Sequence, residues 1–148
     1  MWFYKEKEIK DLQDIMPGVY GFVYKITDTA TGKIYIGKKI LFSNRKKRLT
    51  KKELAEIEPK RGKKPTFKRD IQETNWKDYY GSSKPLLEEI NKRGKLDFKR
   101  EIIIFCNTKK QLTYWEIHHQ CINKVLLVDS YNDNILAKFY RKDLESSI

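Results

Sequence analysis

Residues 18–37 read GVYGFVYKITDTATGKIYIG and place three tyrosines, Tyr20, Tyr24 and Tyr35, in one short segment. A phenol has a pKa of about 10 and is a poor proton acceptor in water; beside a cation or a divalent metal it becomes more acidic and can take a proton from an attacking water. A second group able to do chemistry lies far along the chain, in QLTYWEIHHQ. Leu112, Trp115, His119 and Ile122 recur there at helical spacing, and Glu116 borders the apolar face they make. A carboxylate in that place needs a cationic partner or a metal, and taken alone the pattern favours a salt bridge to a lysine. His118 and His119 do not form an HExxH pair, and as adjacent helical residues they point to different faces, so both are read as structural or exposed.

The elements that must position these groups are legible in part. VYGFVYKIT (19–27) alternates and is rich in Val, Tyr and Phe, which predicts a strand; DTATG (28–32) is a turn, and KIYIG (33–37) a second, antiparallel strand. The mixed segment 1–16, closed by Pro17-Gly18, reads as a short helix. TKKE (50–53) is a capping box for a helix running to Glu58, and PKRGKKPTFKR (59–69) reads as an exposed loop. Pro85 opens a helix over PLLEEINKR that Gly94 ends, and FKREIIIFC (98–106) is a strand buried on both faces. TKKQ (108–111) caps a helix reaching about Asn123 and carrying Glu116, and DSYNDN (129–134) is a turn.

The chain of 148 residues suits one domain with a real core, and no run is long and apolar enough to span a membrane. MWFYKEKEIKD lacks the apolar centre of a signal peptide. Cys106 and Cys121 form no CxxC pair and read as reduced, buried thiols. Of the 32 Lys and Arg, fourteen fall within residues 38–69 against three Glu, so this one segment carries nearly all of the net charge of +12. Such a localised excess suits a polyanion, through counterion release from phosphates, and the segment lacks the apolar face of a membrane-surface helix. Lys38, Lys39, Arg48, Lys51, Lys63, Lys64, Lys68 and Arg69 are the expected nucleic-acid contacts.

At this point the sequence resembles the GIY-YIG nuclease superfamily. YIG at 35–37 is literal; the first motif is represented by Phe22-Val23-Tyr24, with Gly21 one place early. The interval of eleven residues from Tyr24 to Tyr35 matches the family, whereas GVY at 18–20 would lengthen it by four. Arg45 follows Gly37 by eight residues, in the place of the family's arginine; Glu116 takes the place of its metal-binding glutamate and Asn132 that of its closing asparagine. The stretch YYGSS…LLEEINKRGKLDFKREII is similar to the version found in phage-encoded, free-standing homing endonucleases, and the resemblance spans roughly residues 19–135. Two departures stand out. The basic segment at about 46–74 is longer than the compact family core, and Leu49 stands where some members have a histidine, leaving Lys38, Lys39 or Tyr80 to supply an auxiliary proton carrier.

The resemblance implies an α/β fold, a small central antiparallel three-stranded sheet (near 20–27, 33–37 and 98–106) flanked by helices. It implies a nuclease-like domain over 18–140 with a basic insertion, between an N-terminal extension (1–17) and a C-terminal tail (141–148). The implied activity is a metal-dependent DNA endonuclease of homing or restriction type, in the cytoplasm of a bacterial or phage-infected cell. Tyr24 would take the proton of the attacking water, relayed through Tyr35. Arg45, or Arg48 one turn away, would offer a planar fork to the phosphate, and Glu116 would hold Mg²⁺ or Mn²⁺. Gly37 would serve backbone geometry, and Asn132 would hold its own turn and so position the glutamate helix. Double-stranded DNA is the expected partner, and a homodimer is one route to cutting both strands. The rival readings are a non-catalytic nucleic-acid-binding module on the same scaffold and a structure- or RNA-directed nuclease.

Overall fold

The computed structural model describes residues 1–58, 62 and 65–147. In chain order the strands are β1 (Trp2–Tyr4), β2 (Lys7–Ile9), β3 (Gly21–Asp28), β4 (Ile34–Ile40), β5 (Phe42–Arg48), β6 (Phe67–Glu73), β7 (Phe98–Cys106), β8 (Asn134–Ile135) and β9 (Phe139–Tyr140). The helices are α1 (Lys51–Ala55), α2 (Lys84–Arg93), α3 (Lys109–Ile122) and α4 (Arg141–Leu144). The α/β reading holds, but the sheet has five strands rather than three, and it is mixed: its order is β2-β1-β7-β3-β4, with β1 parallel to β7.

The two added strands come from the segment read as a short helix. β1 and β2 are joined by Lys5-Glu6, both at positive φ, so a tight hairpin is made without the Gly, Asn or Asp that usually announces one. Trp2 then lies in the core, its indole Nε1 donating to the Trp76 carbonyl at 2.7 Å, and Ile9 and Ile15 are buried with it. The predicted hairpin is present, with β4 continuing past Gly37 to Ile40, and β7 has the predicted bounds.

The sheet is covered on both faces. Trp2, Phe22, Tyr24, Ile26 and Trp76 pack with Leu86 and Ile90 of α2. Val23, Ile36 and Cys106 pack on the other face with Leu112 of α3 and with Val125 and Leu126 beyond it. β3 lies between β7 and β4 and is buried on both faces; β4 is an edge strand, as is β2 at the other side of the sheet. Cys106 is buried as expected, but Cys121 is exposed, because it lies on the outer side of α3.

The basic segment is not a helix followed by a loop. β5 and β6 pair over seven residues each as an antiparallel ribbon separate from the main sheet, and α1 ends at Ala55. Lysine- and arginine-rich strands carry no apolar alternation, so nothing in the pattern announced them. Lys63 and Lys64 lie outside the described residues.

A charged network fastens the turn end of the hairpin. Asp28, fully buried at the end of β3, accepts from both Arg93 guanidinium nitrogens, from the Tyr131 hydroxyl (2.8 Å) and from the Ala30 amide (3.1 Å). The Arg93 guanidinium holds the Asp28 carboxyl well below the usual carboxylate range, while burial pushes the Tyr131 phenol up to about 12. The stabilisation is therefore complete above the ordinary carboxylate pKa and is lost only in strongly acidic solution, as Asp28 protonates. Asp28→Asn is expected to cost about 3 kcal/mol in denaturant unfolding at neutral pH, since it leaves Arg93 facing a neutral group in a partly buried site. The deficit relative to wild type should shrink toward pH 2.

Candidate active site

The β3–β4 register sets Tyr24 opposite Gly37. Tyr24 is buried, its ring packed edge-on against Trp2 (centroids 5.2 Å apart) and Tyr79 (6.1 Å) and tilted against Tyr35 (6.1 Å). Gly37 is required by this crowding and not, as expected, by its own backbone conformation: its φ is outside the left-handed region, and a Cβ there would stand 2.6 Å from the Tyr24 hydroxyl and 3.1 Å from Tyr35 Cε1. Gly81 combines both reasons, with φ +87° and a Cβ position 2.8 Å from Tyr35 Cε1. Gly37→Ala should displace both rings, costing about 1–3 kcal/mol by overpacking. Because a 1 Å displacement of a reacting group costs about 10²-fold, the same variant should lose about two orders of magnitude in any reaction that uses these tyrosines, read against an unfolding curve.

Tyr35, unlike Tyr24, reaches a cleft of about 480 Å³. Its hydroxyl lies 3.2 Å from Ser82 Oγ, and the cleft wall continues through Ser83 and Lys84, the start of α2. Opposite stand Lys38 of β4 and Glu116 and Gln120 of α3. Lys38 Nζ is 3.6 Å from Glu116 Oε1 and donates to Thr113 Oγ1 at 3.1 Å. The lysine partner weighed for Glu116 from the sequence is thus present, and it sits inside the cleft.

α3 is rotated from the expected orientation. Its inward line is Leu112, Glu116 and Gln120, four residues apart, while Ile122 is 59% exposed. The polar members of this line face the cleft rather than the core, which is why apolar periodicity pointed elsewhere. The Glu116 side chain is only 14% exposed; burial pushes its carboxyl above the usual range and Lys38 pulls it back. Burial also raises Tyr35, with the Ser82 hydrogen bond opposing it, and raises Tyr24 well above an ordinary phenol, helped by the neighbouring Tyr35 and Tyr79.

Asn132 works across the fold rather than on its own turn. Its Oδ1 accepts from the Ile36 amide (2.9 Å) and its Nδ2 donates to the Ile36 carbonyl (2.8 Å), which also receives Gln120 Nε2 (3.1 Å). One residue of β4 thereby ties together the 130–134 loop and α3. Arg141, in the segment set apart as a tail, donates to the carbonyls of Val125, Val128, Ser130 and Asn132 and holds that loop from outside.

Arg45 and Arg48 do not line the cleft. Both project, exposed, from β5 of the ribbon. The cations near the tyrosines are Lys38 and Lys39, whose roles the sequence left as auxiliary. Lys39 Nζ lies 4.0 Å from the Tyr79 ring centroid and donates to Asn75 Oδ1 at 2.8 Å, and burial lowers its pKa. Tyr79 stands against Tyr24; the aromatic pair in DYYGSS was its only signal in the sequence. The segment is fixed by Arg100, which is buried between the Trp2 and Tyr80 rings and donates to the carbonyls of Lys77 and Tyr79, both at 2.9 Å.

The donor set fits a hard divalent cation. Glu116 brings one carboxylate, Asp133 and Asn134 line the same cleft, and Gln120 Oε1 is buried without a hydrogen-bond partner among the described residues. Among the described residues no three His, Cys, Asp or Glu cluster as metal ligands, so an ion here would keep most of its waters, as Mg²⁺ does.

A two-tyrosine hairpin at a sheet edge, a helix glutamate facing it and an asparagine clasping the second strand define a nuclease domain of the GIY-YIG type. Residues 2–144 match the family described as "Putative endonuclease segE, GIY-YIG domain", and the chain belongs to that family. The match begins at β1, so the N-terminal hairpin lies within it. No curated protein and no solved structure matches the chain.

Proposed function

We propose that this chain is a divalent-metal-dependent endonuclease that hydrolyses phosphodiester bonds of double-stranded DNA, of homing or restriction type. The observation that carries the reading is the convergence of Tyr35, Lys38 and Glu116 on one cleft beside the start of α2. Each requirement of the reaction then has a group. Lys38, Lys84 and the positive end of α2 attract the phosphate and balance its charge. Tyr35, oriented by Ser82, receives the proton of the attacking water. Tyr24 holds the Tyr35 ring from the core side, and Asn132 and Gln120 fix β4 against α3, so that Tyr35 and Glu116 keep their separation. A divalent ion on Glu116 supplies Lewis acidity and balances charge on the leaving oxygen. Arg45, on the ribbon, serves the DNA contact rather than the cleft.

The pH dependence follows from the base. Only the phenolate accepts a proton, and burial raises the Tyr35 pKa, so the competent fraction at neutral pH is small and grows with pH. Single-turnover cleavage should rise about tenfold per pH unit between about pH 7 and 9. A chelator should abolish it and added Mg²⁺ restore it. Cleavage that is flat in pH, or that persists in excess chelator, would sink this assignment. Competition among duplex, branched and single-stranded DNA and duplex RNA tests the substrate, with linear duplex DNA expected to compete best.

A further inference from the structure

The β5–β6 ribbon has two unlike faces. Directly paired residues of an antiparallel ladder share a face, and the register pairs Phe42 with Glu73, Asn44 with Ile71, Lys46 with Arg69 and Arg48 with Phe67. The other face holds Ser43, Arg45 and Lys47 against Gln72, Asp70 and Lys68. That second face is partly engaged: Lys68 pairs with Glu53 of α1 at 2.8 Å, and Gln72 donates to Asp70 at 3.1 Å. On the first face Asn44, Lys46, Arg48 and Arg69 make no side-chain hydrogen bond or ion pair among the described residues. Phe42, Phe67 and Ile71 are 41%, 54% and 66% exposed beside them.

A solvent-facing ribbon face is ordinarily polar, and exposed Phe and Ile among unpaired cations mark a contact surface. The cations select a polyanion. The mixture selects base edges over phosphates alone: Arg pairs with guanine, Asn with adenine, and apolar side chains meet the thymine methyl. Dimensions agree, since seven residues at about 3.4 Å make a ribbon about 24 Å long with strands about 4.8 Å apart. The B-form major groove, about 12 Å wide, admits a two-stranded ribbon. The A-form major groove is too narrow for side chains to read.

Both strands of the ribbon also connect toward the cleft, at the end where Phe42 pairs with Glu73. β5 follows β4, which carries Lys38 and Lys39; β6 leads through Thr74, whose amide and hydroxyl donate to the Leu41 and Ile40 carbonyls, into the segment of Tyr79 and Ser82. Trp76, fully buried, anchors that return and donates to Glu73 Oε1 at 2.8 Å.

We propose that the ribbon face bearing Asn44, Arg48, Phe67, Arg69 and Ile71 enters the major groove of duplex DNA and reads base edges, giving the enzyme its sequence preference. The inference rests on the endonuclease reading above for its substrate, and its test does not depend on cleavage.

Wild-type protein with Ca²⁺ in place of Mg²⁺ is used to select from randomised B-form duplexes by gel retardation, and the bound pool is sequenced. A preferred motif should emerge. Arg48→Ala and Asn44→Ala should each relax preference at one base pair by about tenfold or more. Lys47→Ala, on the opposite face, should weaken binding to all sequences alike and lower its salt dependence, leaving the motif unchanged. All three sites are exposed, and unfolding midpoints check that each variant folds. A bound pool without a motif, or a motif untouched by both Arg48→Ala and Asn44→Ala, overturns the proposal even if the enzyme cuts DNA. Equal or tighter binding of duplex RNA, or of phosphatidylserine vesicles, overturns it as well. A motif that appears in protein unable to cut any DNA sinks the endonuclease reading and leaves the ribbon assignment standing.

Discussion

Glu116→Gln is expected to lower the rate of the proposed Mg²⁺-dependent DNA cleavage by about a thousandfold, or about 4 kcal/mol of barrier, with the fold intact. The substitution is nearly isosteric, and the amide still faces Lys38, whose Nζ lies 3.6 Å from the native Oε1. What disappears is the negative charge of the cleft's glutamate. Glu116→Ala is the less informative variant, because it leaves the Lys38 ammonium without its carboxylate and opens a space beside Gln120. The loss must be kinetic: unfolding free energies of wild type and Glu116→Gln should agree within about 1 kcal/mol, since Lys38 is partly exposed and a pair of that kind is worth little. A variant that cuts within tenfold of wild type would remove Glu116 from the chemistry.

Tyr35→Phe follows, with a loss of about 10²–10⁴-fold in single-turnover rate. The ring, and with it the packing against Tyr24 and Gly81, is kept; the hydroxyl facing Ser82 is removed. Its distinguishing readout is the pH profile. If Tyr35 accepts the proton, the variant loses the climb of rate with pH as well as the rate itself. Tyr24→Phe separates the two tyrosines of the motif. The Tyr24 hydroxyl does not line the cleft, and burial raises its pKa well above the ordinary value, so its removal should cost less than tenfold and keep the pH slope. The reverse ranking would return the proton to Tyr24 and mean that the pocket opens around it when DNA binds.

The parts of this site that were readable carry local signals. The interval between Tyr24 and Tyr35 is set by a tight turn, and a tight turn fixes register, so the hairpin could be placed by counting. α2 is bounded by Pro85 and Gly94 and α3 opens at the Thr108 cap, so Glu116 could be put on a helix near the hairpin even though the face was misjudged. The parts that were not readable depend on long-range contacts or on breaking a propensity rule. β1 and β2 join through Lys5-Glu6, a turn whose residue types give no warning. The ribbon has no apolar rhythm because neither of its faces is buried. Counting from Gly37 led to Arg45 for the phosphate, yet the chain leaves β4 for the ribbon three residues after Lys38, carrying Arg45 away and leaving Lys38 beside Glu116. Tyr79 meets Tyr24 across a sequence separation of 55 residues and Arg100 meets Ile26 across one of 74, beyond the reach of any spacing rule. Asn132 was read from the sequence as holding its own turn, but the partner of its side chain, the Ile36 backbone, is 96 residues away.

Hydrolysis of DNA at the Tyr35–Lys38–Glu116 cleft is the proposed activity on which the other expectations rest. Its most direct test is to incubate wild-type protein with supercoiled plasmid and Mg²⁺ and to follow the topological forms on a gel. Supercoiled DNA should convert to nicked and linear forms at moderate salt, and chelation should stop the conversion. Supercoiled plasmid left intact across a range of salt, with both Mg²⁺ and Mn²⁺, would contradict the proposed activity.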